Sequence, residues 1–144
     1  MMSVKLTADE FQYIRLFESI TGAIVKDCVV DEHDNRIIFV VKPGHIGLAI
    51  GRSGKNIRQI RSMLKRDVDV VEYSSKPEVF VRNCLNPNVN LKVRLVDKPD
   101  GKKVAMVTVN PKYRGLTIGR NGRNVSRARL LAKRHFNIED VIIE

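Results

Sequence analysis

The sequence predicts an α+β protein in two like halves, each a three-stranded sheet packed against helices, with a Gly-x-x-Gly loop between two of those helices. The first observation behind this is a repeat. Ala49-Ile50-Gly51-Arg52-Ser53-Gly54-Lys55-Asn56-Ile57 returns sixty-eight residues later as Thr117-Ile118-Gly119-Arg120-Asn121-Gly122-Arg123-Asn124-Val125. The register holds beyond the glycines, with Pro43 on Pro111, Gly47 on Gly115, Leu48 on Leu116 and Arg61 on Arg129, so one unit has been duplicated. The second is length: 144 residues divide into Met1–Ser75 and Lys76–Glu144, two units of about 70 residues, near the lower limit for independent folding. The third is that the same order of periodic segments surrounds each loop.

Taken in order, Thr7-Ala8-Asp9-Glu10 is a capping box, and Phe11, Ile14, Phe17 and Ile20 follow at helical spacing in a helix that Gly22 ends. Strands are predicted from Ala23 to Val30 and from Arg36 to Lys42, around the polar turn Asp31 to Asn35. Ile37 to Val41 is apolar throughout, as an inner strand should be. Pro43 and Gly44 break that strand, a short helix from His45 to Ile50 enters the loop, and a second helix runs from Lys55 to Arg66. At about 100° per residue, Ile57, Ile60, Met63 and Leu64 fall on its packing side, and Arg58, Arg61 and Lys65 on the other. Val68 to Tyr73 reads as the third strand.

Ser74 to Pro77 is a short junction, and Pro77 suits the first turn of a helix reaching Asn86 with Val79, Phe80, Val81 and Leu85 as its apolar residues. Leu91 to Asp97 and Lys103 to Asn110 then form a hairpin around Lys98-Pro99-Asp100-Gly101. Pro111 ends the strand, a short helix reaches Ile118, and the second loop follows. A helix from Arg123 to His135 places Val125, Ala128, Leu131 and Ala132 inward, with Arg129 and Lys133 opposite. Ile138 to Ile143 closes the chain as a strand.

The net charge of +10 is concentrated. Pro43 to Arg66 holds six Lys or Arg and no acid, Pro111 to Ile138 holds eight and no acid, and the remainder holds 12 basic against 16 acidic residues, a net of −4. The whole positive excess belongs to the glycine segments, so the partner should be a polyanion. With 43% apolar and 29% charged residues the chain has the composition of a soluble globular protein. No apolar run of about 18 residues is present, and Met1-Met2-Ser3-Val4-Lys5 lacks a signal-peptide core, so a cytoplasmic location without membrane association is expected. Cys28 and Cys84 fall at unrelated positions of the repeat and read as small core residues, not as a disulfide or zinc site.

Two glycines let the backbone turn sharply and approach a ligand, and the helix that follows offers N–H groups and a positive dipole end, which together make a phosphate seat. Gly51, Arg52, Ser53, Gly54 and Lys55 form the first seat; Gly119, Arg120, Asn121, Gly122 and Arg123 form the second. Arg58, Arg61, Arg129 and Lys133 extend the basic surface along the following helices. A lone Gly-x-x-Gly is more often a tight helix–helix turn, but two basic copies in register, each after Ile-Gly, favour the seat.

Catalysis finds no constellation. Gly54-Lys55 resembles the end of a P-loop, but Ala49 stands where its earlier glycine belongs and Asn56 where Ser or Thr would hold magnesium. His33, His45 and His135 are isolated, and no acidic pair lies in the basic windows, so neither an enzyme nor a cofactor or metal is expected.

The pattern Ile-Gly-x-x-Gly-x-x-Ile or Val, set between two helices after a strand, resembles the KH domain, a module for single-stranded nucleic acid. The helix and strand that precede it resemble the type II arrangement, giving two tandem type II KH domains. Gly-Leu-Ala-Ile-Gly-Arg and Gly-Leu-Thr-Ile-Gly-Arg, with the short helical junction, resemble the KH pair of the NusA family, and in particular the short archaeal NusA-like proteins, over nearly the whole chain. The resemblance implies binding of nascent single-stranded RNA by a monomer acting in transcription termination or antitermination. It brings in RNA polymerase as a second partner, although 144 residues leave room for neither the polymerase-binding domain nor the oligonucleotide-binding barrel of bacterial NusA.

On this reading each loop clamps about four nucleotides, with bases toward a groove for which Ile50 and Ile57, or Ile118 and Val125, form the wall or the core behind it. Phe11, Phe17, Phe39, Phe80 and Phe136 sit at apolar-periodic positions and are assigned to the core, leaving Tyr113 as the aromatic open to contact. Two alternatives remain: a ribosome-associated or ribosome-assembly RNA-binding protein, which would share charge and fold but usually carry one such domain, and a nonspecific duplex binder, which would need a recognition helix or broad basic face.

Overall fold

The computed structural model describes residues 4–144, so the signal-peptide argument, where it concerns residues 1–3, lies outside the described residues. The chain forms two compact units, one over Lys5–Tyr73 and the other containing Ser74–Glu144.

In the first unit, helix α1 spans Ala8–Thr21, strands β1 and β2 span Val25–Asp31 and Arg36–Val41, helices α2 and α3 span Ile46–Ile50 and Lys55–Leu64, and strand β3 spans Asp67–Glu72. The capping box forms: Glu10 N–H donates to Thr7 Oγ1 at 3.3 Å, and Thr7 N–H to Glu10 Oε1 at 2.7 Å. Gly22, left-handed at φ 75°, closes the helix by donating to the Glu18 carbonyl. The sheet order is β1-β2-β3, antiparallel then parallel, with Phe39 opposite Cys28 on one side and Val70 on the other. Every residue of β2 is buried, which accounts for its unbroken apolar run. Ile14, Phe17, Cys28, Ile37, Phe39, Ile60 and Val68 make the core, and the Phe17 and Phe39 rings stack with centroids 4.2 Å apart.

Arg36 opens β2 with its side chain fully buried, a placement that needs compensation. Its guanidinium donates to Asp31 at 2.9 Å, Asp34 at 3.2 Å and Asp69 at 2.9 Å, tying the β1–β2 turn to β3.

Two core assignments are corrected. Phe11 is 53% and Met63 52% exposed. Each lies roughly 90° around its helix from the centre of the stripe defined by its buried neighbours, Ile14 and Phe17 or Ile57 and Ile60, and so falls at the rim. Helix α3 also stops at Leu64, short of Arg66, because Lys65 turns left-handed at φ 54° and donates to the Arg61 carbonyl at 2.9 Å.

The second unit repeats the order. Helix α4 spans Pro77–Leu85, strands β4 and β5 span Lys92–Asp97 and Lys103–Thr108, helices α5 and α6 span Arg114–Ile118 and Arg123–Phe136, and strand β6 spans Ile138–Ile143. Pro77 occupies the first turn of α4, which buries Phe80, Val81, Cys84 and Leu85. The hairpin turns at Gly101, φ +85°, and the sheet order β4-β5-β6 is again antiparallel then parallel. Helix α6 buries Val125, Ala128, Leu131 and Ala132 as its periodicity predicts, while His135 packs edge-on to Phe80 at 5.3 Å. Each unit is thus a three-stranded sheet against helices, with the glycine loop between two of them.

Candidate nucleic-acid interface

Each loop is a single 3-10 turn, Arg52–Gly54 or Arg120–Gly122, joining a five-residue helix to the longer one. The two backbones agree closely. Gly51 has φ 78° and ψ 169°, and Gly119 has 80° and 165°. Ser53 is left-handed at φ 54°, Asn121 at 55°, and Gly54 and Gly122 follow at 76° and 74°. In both, the first glycine donates four residues back, to Gly47 or Gly115 at 2.9 Å, and the second donates to the first at 3.0 Å. Neither α3 nor α6 has a capping side chain at its start, so their first-turn N–H groups keep a polarity suited to an anion.

The first glycine of each loop, Gly51 or Gly119, is required by the chain's own packing. A Cβ on Gly51 would meet Asn56 Cγ at 2.7 Å and its backbone nitrogen at 2.8 Å; on Gly119 it would meet Asn124 Cγ at 2.8 Å. The space beside the first glycine is therefore filled by the chain itself. Asn56 donates its side-chain amide to the Leu48 carbonyl at 2.8 Å, and Asn124 to Leu116 at 3.1 Å, stapling each loop to the helix before it. Sequence comparison of the repeats aligned these asparagines without assigning them a role.

The open space lies one turn earlier. Gly47 and Gly115 sit within short helices, and among the described residues no atom beyond their chain neighbours and own helix backbone lies within 4 Å of where a Cβ would stand. Neither glycine has the positive φ that would demand it. A glycine in a helix costs roughly 0.5–1 kcal/mol relative to alanine, and no contact among the described residues explains that cost. Leu48 and Leu116 beside them are 48% and 60% exposed, so each loop adjoins bare backbone and apolar surface.

Of the predicted site residues, Arg52, Lys55 and Arg120 are exposed at the loops, and Arg123 is half-buried at the start of α6. Arg58 turns back on its own loop and donates to the Ser53 carbonyl. Arg61 donates to the Val68 carbonyl at 3.0 Å and lies 3.9 Å from Asp67; Arg129 donates to Asp140 and the Val141 carbonyl at 3.0 and 3.3 Å. Both arginines fasten helix to strand. Lys133 donates to Asn137 at 3.3 Å, about 15 Å along α6 from Arg123 at 1.5 Å per residue. Ile57 and Val125 are core, at 6% and 8% exposure, whereas Ile50 is exposed and Ile118 half-buried. Tyr113 is 40% exposed, with Lys112 Nζ 5.6 Å from its ring centroid. Among the described residues no group of three or more His, Cys, Asp or Glu could hold a metal, and no helix is long and apolar enough to cross a membrane.

A family model described as the KH domain matches residues 12–101. A Methanocaldococcus jannaschii protein named "Probable transcription termination protein NusA" is 36% identical over 141 residues, covering 98% of this chain and 75% of that protein. One of the same name from Halococcus morrhuae is 37% identical over 140 residues, covering 97% and 98%. "Transcription termination/antitermination protein NusA" of Thermus thermophilus is 34% identical over 99 residues, covering 68% of this chain and 25% of that protein. The crystal structure of APE1850 matches with a TM-score of 0.85 and 40% identity, covering 96% of this chain and 100% of that one. A glycine loop of one geometry built twice, on two sheets of one topology, agrees with these likenesses, and the chain belongs to the archaeal NusA-like family of KH-domain proteins.

Proposed function

We propose that this chain binds single-stranded RNA through both glycine loops and acts on nascent transcripts in transcription termination or antitermination. The observation that carries the reading is the loop, formed twice with dihedral angles that agree within a few degrees. At its tip Arg52, Lys55 and Arg120 are exposed. Those charges and the uncapped helix starts support clamping of a phosphate backbone, and the exposed Leu48, Ile50 and Leu116 support apolar contact with unpaired bases. The role in termination is supported by the names of the relatives, and RNA polymerase enters the proposal as a second partner through that role alone.

Two loops acting on one strand make the second contact intramolecular. Effective concentrations in the millimolar range then raise affinity on the order of a hundredfold over one loop alone.

The test is fluorescence anisotropy with a labelled unpaired RNA of about ten nucleotides, longer than the stretch of about four that one site holds. Replacing Arg52 and Ser53 with Asp, and Arg120 and Asn121 with Asp, places carboxylates in both seats while sparing the glycines. Binding should collapse while the circular dichroism spectrum stays unchanged. The same RNA in a duplex should bind more weakly at moderate salt. Unchanged affinity in the fourfold variant, or equal affinity for both RNA forms, overturns the reading.

A further inference from the structure

The two loops share a backbone but not a support. In the first unit Asn56 donates to Leu48, its side-chain oxygen has no partner among the described residues, and Gln59 is exposed. The residue sixty-eight positions on from Gln59 is Arg127. Arg127 Nε donates to the Cys84 carbonyl at 2.7 Å, and its Nη2 donates to the Leu85 carbonyl at 3.0 Å and to Asn124 Oδ1 at 3.3 Å. Asn124 in turn donates to Leu116, whose carbonyl also accepts from Asn86 Nδ2 at 3.3 Å. A continuous hydrogen-bonded brace thus runs from the last turn of α4 to the helix end that leads into the second loop.

The helix caps explain why, among the described residues, the second unit has it and the first does not. Helix α1 ends in a left-handed glycine, Gly22, whereas α4 ends at Asn86 in an extended conformation, φ −162°, without a left-handed cap. The last carbonyls of α4 need donors, and a planar guanidinium can serve two of them while keeping a third N–H in plane for a neighbour. That neighbour is Asn124. With its oxygen held by Arg127 and its amide by Leu116, Asn124 has one orientation. Asn56, bonded at its amide only, is held less completely.

We infer that Arg127 is a positioning residue for RNA binding at the second loop. It presets, through Asn124, the loop shape that receives the phosphate, and it does not touch RNA. The inference rests on the RNA-binding reading of the loops. A braced loop loses less freedom when the strand docks, so removing the brace weakens binding without removing a phosphate contact.

The test uses the full chain and anisotropy over a series of salt concentrations. Arg127→Gln installs the residue that the first unit carries in its own folded structure. It should weaken binding about two- to tenfold, the value of one or two hydrogen bonds, with the slope of log affinity against log salt unchanged. Arg120→Gln should weaken binding and reduce that slope by about one unit, the mark of a lost phosphate contact. Arg127→Lys should not restore affinity, since one ammonium cannot reproduce the fork, and Asn124→Ala combined with Arg127→Gln should be no worse than Asn124→Ala alone, because the arginine acts through that asparagine. If Arg127→Gln lowers the slope as Arg120→Gln does, Arg127 touches RNA and the inference is wrong; unchanged affinity also overturns it. Should Arg127→Gln fail to fold, unchanged affinity in Asn124→Ala would be equally fatal. If Arg120→Gln has no effect on affinity or slope, the RNA reading of this loop fails instead.

Discussion

Arg61 Nη2 donates to the Val68 carbonyl oxygen at 3.0 Å, so a basic residue on the solvent side of α3 is spent on fastening that helix to β3. Arg129 does the same with Val141 in the second unit, at 3.3 Å. Charge pattern alone makes these two arginines indistinguishable from those at the loop tips.

Arg61→Ala and Arg129→Ala should therefore act on stability before binding. Each should lower unfolding free energy by about 1 kcal/mol, the net worth of a partly exposed hydrogen bond, seen as a reduced urea midpoint. At temperatures where the variants are folded, RNA affinity should fall less than in Arg52→Ala or Arg120→Ala. The reverse ranking would make them primary RNA contacts.

Glycine substitutions one turn apart should have opposite effects on stability. Gly51→Ala forces a Cβ against Asn56 at a φ of +78° and should cost about 1–3 kcal/mol and abolish binding at that loop. Gly47→Ala enters open space on a helix and should stabilise the unit by roughly 0.5–1 kcal/mol. If RNA approaches the bare backbone there, Gly47→Ala should nonetheless bind more weakly. A thermal melt and a binding curve on each protein separate these outcomes; wild-type affinity in Gly47→Ala would mean that nothing docks against that turn.

Burial in α4 pushes the Cys84 thiol well above its usual range, with Arg127 beside it pulling back only in part. A thiol whose ionisation is suppressed in the folded state contributes stability that is complete below its unfolded value of about 8.5 and is lost as pH rises beyond it. Stability should fall above that pH, and Cys84→Ala should flatten the fall. Iodoacetamide at mildly alkaline pH should label native Cys84 far more slowly than the urea-unfolded chain. Rapid labelling of the native protein would show that α4 opens.

What could be read from the residues follows their physics. Ile37 to Val41 announces an inner strand because all of it is apolar, and Thr7 with Glu10 announces a helix start because capping is local. The loops were legible because they are written twice. Phe11 and Met63 misled because spacing of three admits a residue at the rim of a stripe as readily as one at its centre. Asn56, Asn124 and Arg127 were illegible for another reason: their value lies in hydrogen bonds fixed by side-chain torsions and by how α4 happens to end, neither of which a linear pattern encodes.

The bond from Gly122 N–H to the Gly119 carbonyl, at 3.0 Å, has a chemical consequence as well as a structural one. Asn121 precedes Gly122, the pair of residues in which an asparagine most readily deamidates through a succinimide, and that ring closes only when the glycine nitrogen attacks the side-chain carbonyl. Here the nitrogen is already engaged, and the left-handed turn at Asn121 holds it there. The turn that shapes the second seat thus also slows an ageing reaction that would plant a carboxylate inside it. The first loop, with Ser53 at this place, has no such clock to guard against.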